Sequence, residues 1–296
     1  MQQKWQKKGL LITLNPKVDW MSNHLGPTYA VSRNNRYIDI FFSSRNTKNI
    51  SSIGEFTFDT KLKKKSICKK IFTAEKSKLP DQHGVSYPVI LKYNRRIYLY
   101  YVGWIRNKIY KFENNLLLAI KKGRKYHRIK KIIKYNESPF GSGSCFILKK
   151  DKIFYMWFTA FIKRNKKKKN DLNYEYIIKV ATSNDLKNWK VKPQRCIDFK
   201  SNFENAISKP SIIYKNGKYH MWYCYRGKNY KIGYAISDDG INWLRKDGNV
   251  KFIGKVFKWD NLEKCYPSVV QVKKKIYMIY SGNNYGKKAI GYCILK

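Results

Sequence analysis

The feature that most constrains the fold is a strand pattern that recurs along the chain. In its clearest copy, the aromatic run Tyr-His-Met-Trp-Tyr at 219–223 is followed by Lys-Ile-Gly-Tyr-Ala-Ile-Ser-Asp-Asp-Gly-Ile-Asn-Trp at 231–243. Related aromatic runs stand at 154–158 and 276–280, each followed by a second strand pattern. Aromatic and aliphatic runs that end in polar turns are typical of strands. Self-similarity of this kind, built from strands, is typical of a propeller.

A short apolar strand with a recurring anchor residue precedes each aromatic run, so the copies can be counted. The anchors are separated by 61, 56, 66 and 57 residues, and they are Pro27, Pro88, Ser144, Pro210 and Pro267. We therefore predict an all-β chain, a five-bladed β-propeller with four-stranded antiparallel blades, in a single domain over residues 1–296. The predicted blades are 22–80, 81–138, 139–200, 201–258 and 259–296, and an N-terminal strand at 9–14 completes the last blade and closes the ring.

The composition bears on the cellular location of the protein and on the state of its cysteines. No apolar run approaches the roughly 18 residues of a membrane span, and the apolar stretch at 10–14 is too short for the core of a signal peptide. The six cysteines include no Cys-x-x-Cys pair, and several lie inside strand patterns. We therefore expect buried free thiols rather than metal ligands or disulfides, and a cytoplasmic protein.

The net charge of +44 raises the question of a nucleic-acid partner. The lysines are spread over hairpins and loops, for example at 61–65, 166–169 and 273–275, and no recognised nucleic-acid motif accompanies them. We therefore expect no specific nucleic-acid partner. Two explanations of the charge stay open: compositional drift in an AT-rich genome, and a selected surface for polyanions. The loop that holds 166–169 is expected to be a disordered insertion or a lid.

Only 19 acidic residues oppose this charge, so each of them is informative. Three of them, Asp81, Glu204 and Glu263, precede inner-strand anchors, a position that opens onto the central funnel of a propeller. Each is a candidate catalytic carboxyl and, taken singly, an equally good candidate for a structural salt bridge. Their recurrence at one blade position favours the catalytic interpretation. The acids of the Ser-x-Asp turns, such as Asp185 and Asp239, are expected to be structural.

Basic, polar and aromatic residues occupy related places at the same end of the predicted blades. We predict that they bind substrate, and they are His24, Arg45, His83, Trp104, Lys209, Arg226 and Tyr266. Aromatic faces stack on the C–H faces of sugar rings, and charged groups hydrogen-bond to sugar hydroxyls. The sequence therefore indicates a carbohydrate ligand, although simple packing is an open alternative for Trp104.

At these residues the chain resembles a known group of proteins. The motif Ser-x-Asp-Gly-x-x-Trp at 237–243 resembles five-bladed propeller glycosidases of the invertase, arabinanase and levansucrase type, and the related mannoside phosphorylases. The chain more closely resembles bacterial glycosidase-like propellers encoded in surface-polysaccharide gene clusters. That resemblance rests on His-x-x-Pro at 24–27, Asp-x-x-Gly-Val at 81–85, Glu-x-Ala-Ile-x-x-Pro at 204–210, and Trp-Asp with Tyr-Pro between 259 and 267. It covers the whole chain and implies a glycoside-active propeller of polysaccharide biosynthesis.

One departure bears on the chemistry that the resemblance implies. Characterised hydrolases of this fold carry an aspartate beside the blade-one proline, whereas Gly26 stands there in this chain and the nearest acid is Asp19. Glycoside hydrolysis ordinarily uses two carboxyls. Glu204 is the best candidate for the acid, with Asp81 as the first choice of partner and Glu263 as the second.

Three functions stay open from the sequence. The leading interpretation is a glycosidase that acts on an oligosaccharide or a surface-glycan fragment. A phosphorylase or glycosyltransferase would need one carboxylic acid and a cationic pocket for inorganic phosphate or a sugar nucleotide, and His24, Arg45, Lys209 and Arg226 suit that role. The third is a non-catalytic glycan-binding propeller. The four histidines lack metal-binding spacings, so we expect neither a metal nor another cofactor.

Overall fold

The structure is a computed structural model that describes residues 2–75, 80–107, 111–131, 141–163 and 174–296. The lysine-rich segment 166–169 lies outside the described residues. The first strands are β1 (Gln3–Thr13), β2 (His24–Ser32), β3 (Tyr37–Arg45), β4 (Ser51–Asp59), β5 (Lys64–Lys65), β6 (Lys69–Thr73), β7 (Gly84–Tyr93) and β8 (Arg96–Asn107).

The remaining strands continue the same pattern to the C-terminus. The middle strands are β9 (Lys111–Lys122), β10 (Lys125–Lys131), β11 (Ser142–Lys150), β12 (Ile153–Lys163), β13 (Tyr174–Ser183), β14 (Lys190–Val191) and β15 (Ala206–Lys215). The last are β16 (Lys218–Arg226), β17 (Tyr230–Ser237), β18 (Leu244–Arg245), β19 (Val250–Ile253), β20 (Cys265–Val272), β21 (Lys275–Ser281) and β22 (Ala289–Leu295). Helical structure in the described ranges comprises 3-10 turns at Asp19–Met21 and Asp247–Asn249 and one turn, α1, at Asn283–Gly286.

Successive strands pair as antiparallel meanders. These are β2–β3–β4, β7–β8–β9–β10, β11–β12–β13, β15–β16–β17–β18 and β20–β21–β22. Single parallel bridges, Ser51 with Gly84 and Tyr176 with Ala206, join neighbouring meanders, so the paired strands form larger sheets. The prediction of an all-β chain is confirmed, whereas the number of blades stays a prediction.

The N-terminal strand extends the C-terminal meander. β1 pairs antiparallel with β22, where Leu10 lies opposite Gly291, and parallel with β19. It begins at Gln3 rather than at the predicted residue 9. The reason is Trp5, whose indole is fully buried and packs edge-on against Trp222, with 5.7 Å between the ring centroids. Burial of this side chain brings the residues around it, 3–8, into the strand.

The Ser-x-Asp turns lie between the third strand of a meander and the short strand that pairs with it, and they contact the preceding meander. In the turn after β17, the Asp239 carboxylate accepts hydrogen bonds from the backbone N–H groups of Ile241 and Asn242, both at 2.8 Å. The carbonyl of Gly240 accepts a hydrogen bond of 2.6 Å from the Trp157 indole of the preceding meander. Asp185 holds the turn after β13 in the same way. The expectation that these two acids are structural is confirmed.

Free cysteines pack as small apolar side chains between the strands. Five of the six thiols are buried, and Cys68 is half-buried. All six are free, so the expectation of buried free thiols is confirmed for five of them.

The first strands of the meanders share an unusual backbone feature at their anchors. Each has a register shift beside its anchor residue. In three strands the residue before the anchor proline has a positive φ: Tyr87 (52°), Lys209 (53°) and Tyr266 (56°). Side chains of the preceding meander accept the backbone N–H of each, Ser43 for Tyr87 and Cys224 for Tyr266, both at 2.9 Å. Strained φ values persist where surrounding contacts enforce them, and they cluster at functional sites.

Candidate functional site

A sizeable cavity lies at the end of the meanders where β7, β11, β15 and β20 begin. Its volume is about 580 Å³, within the roughly 300–1,000 Å³ of small-molecule sites. We call it the main cavity. Its described lining residues are Arg45, Asn49, Ser86, Tyr87, Trp104, Arg106, Phe112, Asn114, Gly143, Ser144, Thr159, Phe161, Tyr176, Ser208, Arg226, Tyr230, Tyr266 and Tyr285.

Four tyrosines form one continuous wall of the main cavity. Tyr266 packs edge-on against Tyr87, with ring centroids 5.7 Å apart, and tilts against Tyr230 at 6.1 Å. Tyr230 in turn packs edge-on against Tyr285 at 5.7 Å. Burial raises the pKa of the Tyr87, Tyr230 and Tyr266 hydroxyls above the ordinary value. These hydroxyls therefore stay protonated at neutral pH and remain hydrogen-bond donors.

Three guanidinium groups reach the same cavity. Arg226 lies over the Tyr230 ring at 4.9 Å and donates hydrogen bonds to the Tyr285 hydroxyl at 3.3 Å and to the Asn205 side-chain oxygen at 3.2 Å. Arg45 lies 5.8 Å from the centroid of the Trp104 ring. Arg106, at the end of β8, is exposed. In the described part of the chain none of the three is within ion-pair distance of a carboxylate.

The described lining of the main cavity contains no aspartate or glutamate. Of the three predicted catalytic carboxyls, Asp81 is fully buried and accepts hydrogen bonds from Arg128 at 2.7 Å and from the Tyr101 hydroxyl at 3.0 Å. Its second oxygen has no hydrogen-bond partner. Glu204 accepts two hydrogen bonds from the Arg245 guanidinium, at 2.7 and 3.0 Å. Both carboxylates thus face arginines outside the lining.

Glu263 lies directly behind the tyrosine wall. One of its oxygens accepts the backbone N–H of Tyr230 and the other that of Tyr285, both at 2.9 Å. Its carboxylate is buried, so it holds two wall residues in place through their backbones. The structure therefore gives each of the three acids a structural partner and does not bring them together. Their catalytic roles stay a prediction.

The predicted substrate-binding residues divide into two groups. Four of them line the main cavity: Arg45, Trp104, Arg226 and Tyr266. The other three are close to it but outside its lining. His83 lies 6.1 Å from the Trp104 ring and accepts the backbone N–H of Arg106 at 3.1 Å. His24 lines a smaller cavity beside the main one.

Lys209 lies beneath the floor of the main cavity. Its backbone N–H donates to the hydroxyls of Ser144 and Thr159, which line that floor, at 3.1 and 3.3 Å. Its side chain is buried, and the ammonium donates to the Pro267 carbonyl at 3.4 Å. Within the described ranges it forms no ion pair with a carboxylate. Burial lowers its pKa to about 8, because an unpaired charge is costly inside a protein.

Sequence reasoning identified Tyr266 but missed the other wall residues, Tyr87, Tyr230 and Tyr285. Tyr87 precedes Pro88 as Tyr266 precedes Pro267, so the repeated Tyr-Pro pair could have identified Tyr87 as well. Tyr285 stands on the turn α1, where it has a φ of 59°, and no repeat marks that turn in the sequence. Among the described residues no group of three histidines, cysteines or carboxylates is placed to hold a metal ion.

Comparison with known proteins places the fold. No established family profile matches the chain. A solved glycoside hydrolase superimposes with a TM-score of 0.78 over 98% of this chain and 91% of that one, at 15% identity. A structure described under the GH130 family of mannoside phosphorylases superimposes with a TM-score of 0.73 over 99% and 94%, also at 15% identity. The chain has the fold of the propeller glycoside hydrolases.

The chain also has relatives in sequence. The chain is 26% identical to an uncharacterised protein of Mycobacterium tuberculosis over 99% of both chains. It is also 30% identical to a beta-1,2-mannobiose phosphorylase of a Thermoanaerobacter species over 98 residues, which cover 27% of this chain and 30% of that one. In the described residues, no helix is long and apolar enough to span a membrane.

Proposed function

We propose that this protein is a glycoside-active enzyme whose main cavity holds an anionic group, either on its carbohydrate substrate or as inorganic phosphate. The observation that carries this proposal is the charge of the lining: three guanidiniums and, in the described residues, no carboxylate. The fold shared with glycoside hydrolases and mannoside phosphorylases supports the carbohydrate part of the proposal. Phosphate-dependent cleavage or sugar transfer is then the favoured chemistry.

The lining has groups suited to both parts of such a ligand, the sugar ring and the anion. The rings of Trp104 and of the tyrosine wall offer flat faces for a sugar ring. The guanidiniums of Arg45 and Arg226 can donate paired hydrogen bonds to phosphate oxygens, the geometry in which arginine binds phosphate best. Because the hydroxyl of Tyr87 stays protonated, it can donate a further hydrogen bond to the same anion.

Hydrolysis between two carboxylates fits this geometry less well. That mechanism places two carboxyls about 5 to 9.5 Å apart on either side of the scissile bond. Asp81 and Glu204 are each bound by an arginine, and Glu263 is engaged by two backbone N–H groups. A glycosidase that uses these acids stays the sequence-based alternative, and it would require that ligand binding rearranges at least one of them.

A non-catalytic anionic-glycan receptor is the second candidate, and the same lack of lining carboxylates favours it. We further propose a cytoplasmic, five-bladed, single-domain protein of polysaccharide biosynthesis. In that compartment inorganic phosphate and sugar nucleotides are the available anionic co-substrates.

The deciding experiment incubates the purified protein with manno-oligosaccharides and other glycosides, with and without inorganic phosphate. β-1,2-Mannobiose is tried first because one relative is named for it. We expect release of a sugar 1-phosphate that requires phosphate and falls at least 10-fold in Arg226→Gln. Release of free sugar without phosphate, lost in Glu204→Gln, would instead establish the hydrolase. Binding without turnover across glycosides and sugar nucleotides would establish the receptor.

A further inference from the structure

The two Ser-x-Asp turns close gaps between neighbouring meanders, at the end of the strands away from the main cavity. The Leu186 carbonyl accepts the Tyr100 hydroxyl of the preceding meander at 2.7 Å, as the Gly240 carbonyl accepts the Trp157 indole N–H. A tryptophan that follows each turn packs edge-on against the same ring at 6.2 Å, and the pairs are Trp189 with Tyr100 and Trp243 with Trp157. Each gap is thus closed by a turn from the next meander.

A third gap, between the fourth and fifth meanders, is closed only in part. Trp222 is the fourth residue of its aromatic run, as Trp157 is of the run at 154–158. Its indole N–H donates to the Gln3 side-chain oxygen at 2.8 Å, and Trp5 packs edge-on against its ring. Both partners come from β1, and in the described residues no Ser-x-Asp turn covers Trp222. The remaining space is a cavity of about 430 Å³, which we call the junction cavity.

The junction cavity begins where a Ser-x-Asp turn begins in the other meanders. The residues Gly-Tyr-x-Ile precede both Ser237, at the end of β17, and Leu295, at the end of β22, and Leu295 lines the cavity. By strand register, Ile213 has the place in β15 that Leu148 has in β11. Leu148 and the turn residue Ile241 pack against one core cluster, whereas Ile213 lines the cavity. The cavity therefore occupies the place of a turn.

The floor of the junction cavity is apolar. Trp222 is buried beneath it. Four aliphatic side chains around this ring are half-buried, line the cavity and pack against the core cluster that contains Trp222, and they are Ile213, Ile236, Ile276 and Leu295. Because removal of apolar surface from water is favourable, an apolar side chain that covers this floor is stabilised there.

The rim of the junction cavity is positively charged. Lys215, Lys218 and Lys246 line it, and no aspartate or glutamate belongs to its described lining. Lys218 pairs with the exposed Asp238 at 2.6 Å. Among the residues that the structure describes, Lys215 and Lys246 are not within ion-pair distance of a carboxylate. An acidic group at the rim is therefore favoured.

From these observations we propose that the junction cavity is the docking site for an acidic turn of a partner protein, with an aspartate followed within two residues by an aliphatic side chain. The turns that close the other two gaps have this form, since Asp185 precedes Leu186 and Asp239 stands two residues before Ile241. The aliphatic side chain covers the floor, and the carboxylate faces the lysines of the rim. Because both turns of this chain are bound within their own molecule, the partner is a different protein.

The docking site is remote from the main cavity. Arg226, which lines the main cavity, and Lys218, which lines the junction cavity, stand at opposite ends of β16. At about 3.3 Å per residue they are roughly 26 Å apart. Docking is therefore tested by binding, and its outcome does not depend on whether the main cavity is catalytic.

The test uses a peptide with the sequence of residues 237–242, labelled with fluorescein at its N-terminus and amidated. Residue 243 is left out because Trp5 occupies the corresponding place at this gap. Fluorescence polarisation at fixed ionic strength is expected to show saturable binding. A peptide with Ile241→Ser should bind about 10- to 100-fold more weakly, because it loses the aliphatic contact. A scrambled peptide has the same charge and should also bind at least about 10-fold more weakly. Equal binding of the scrambled peptide would overturn the inference.

His220 reports where the peptide binds. Its ring lines the junction cavity and hydrogen-bonds through Nδ1 with the Tyr234 hydroxyl at 2.6 Å. Burial, with the charges of Lys215 and Lys218, lowers the pKa of His220, although a hydrogen bond with the Lys215 backbone opposes the shift. The ring is therefore neutral at pH 7. The peptide should move the His220 ring signals in NMR spectra and leave those of His24, near the main cavity, in place. Unmoved His220 signals would refute docking at this site.

Charge-reversal variants test the role of the lysines. Combining Lys215→Glu with Lys246→Glu should weaken peptide binding at least about 10-fold. The matched control combines Lys64→Glu with Lys125→Glu, two exposed lysines of other meanders, which changes the net charge equally and should keep binding. Equal loss in both would mean general attraction to a basic protein and contradict the inference. Thermal melting confirms that the variants are folded.

Sedimentation velocity distinguishes a partner protein from a second copy of this chain. We expect a monomer for both the parent protein and the variant with Lys215→Glu and Lys246→Glu. A dimer of the parent that this variant abolishes would assign the junction cavity to self-association and overturn the proposal of a different partner.

Discussion

Arg245 and Arg226 belong to the same meander, yet their surroundings are opposite. The Arg245 side chain is only 7% exposed. Its guanidinium lies between two carboxylates, 2.7 Å from a Glu204 oxygen and 2.8 Å from an Asp247 oxygen. Arg226 contacts a phenol ring, a phenol hydroxyl and an amide oxygen, and no described carboxylate pairs with it. In a chain with 63 basic and 19 acidic residues, the acids stabilise the frame and leave the cavity positive.

The largest effect on stability is expected from removing Arg245, the arginine that pairs with two carboxylates. Arg245→Gln leaves Glu204 and Asp247 largely buried without their shared cation, so we expect a loss of about 3–5 kcal/mol in the free energy of unfolding. Urea denaturation measures it. The matched control is Arg226→Gln, for which we expect a loss of about 1 kcal/mol or less. Equal losses would show that Arg226 is also a structural residue.

Lys209 is a third case, a buried cation that forms no ion pair with a carboxylate in the described residues. Its folded-state pKa of about 8 lies below the ordinary 10.5, so the folded state binds fewer protons than the unfolded chain between these pH values. Stability should therefore rise with pH across that window. Lys209→Met removes the cost of the buried charge, and we expect a gain of up to about 3 kcal/mol at pH 7.

The measurement for Lys209 is the difference in unfolding free energy between Lys209→Met and the parent protein at several pH values. That difference should be largest below pH 8 and disappear toward pH 10.5. A difference that does not change with pH would mean that the ammonium group carries no burial cost.

Arg226, unlike Arg245, is expected to contribute to ligand binding rather than to stability. A charge-assisted hydrogen bond to an anion is worth about 1.5–3 kcal/mol, so Arg226→Gln should weaken phosphate-ester binding by about 10- to 100-fold. Isothermal titration calorimetry measures it at fixed ionic strength. Arg226→Lys keeps the charge but loses the paired hydrogen-bond geometry. Its affinity for the phosphate ester should lie between that of the parent protein and that of Arg226→Gln. Unchanged affinity in Arg226→Gln would remove this residue from the binding site.

The smallest expected effect concerns Glu263, which borders both regions. Glu263→Gln removes the acceptor for one of the two N–H groups of Tyr230 and Tyr285, at a cost of about 1–2 kcal/mol in stability. As a positioning residue it should weaken ligand binding a few-fold and leave the pH profile of turnover unchanged. A shifted pH profile would instead support the catalytic role predicted from the sequence.

Much of the frame could be predicted from the sequence because it depends on local patterns. Strand alternation, the turn at Asp239 and the anchor at Pro267 each act within a few residues, and the structure keeps them. The start of β1 was not predicted, because Trp5 becomes part of the strand through a contact with Trp222, 217 residues away. The partners of Asp81, Glu204 and Glu263 could not be predicted either, because they are also distant in the sequence.

The sequence by itself determined the all-β architecture, the structural Ser-x-Asp turns and the gathering of Arg45, Trp104, Arg226 and Tyr266 at one end of the strands. Only the tertiary structure decided which charges are neutralised. Glu204 could have faced a ligand or Arg245, and the choice depends on which side chains the paired strands bring within about 3 Å of each other. Electrostatic pairing acts over such short distances, and residue spacing along the chain does not encode it.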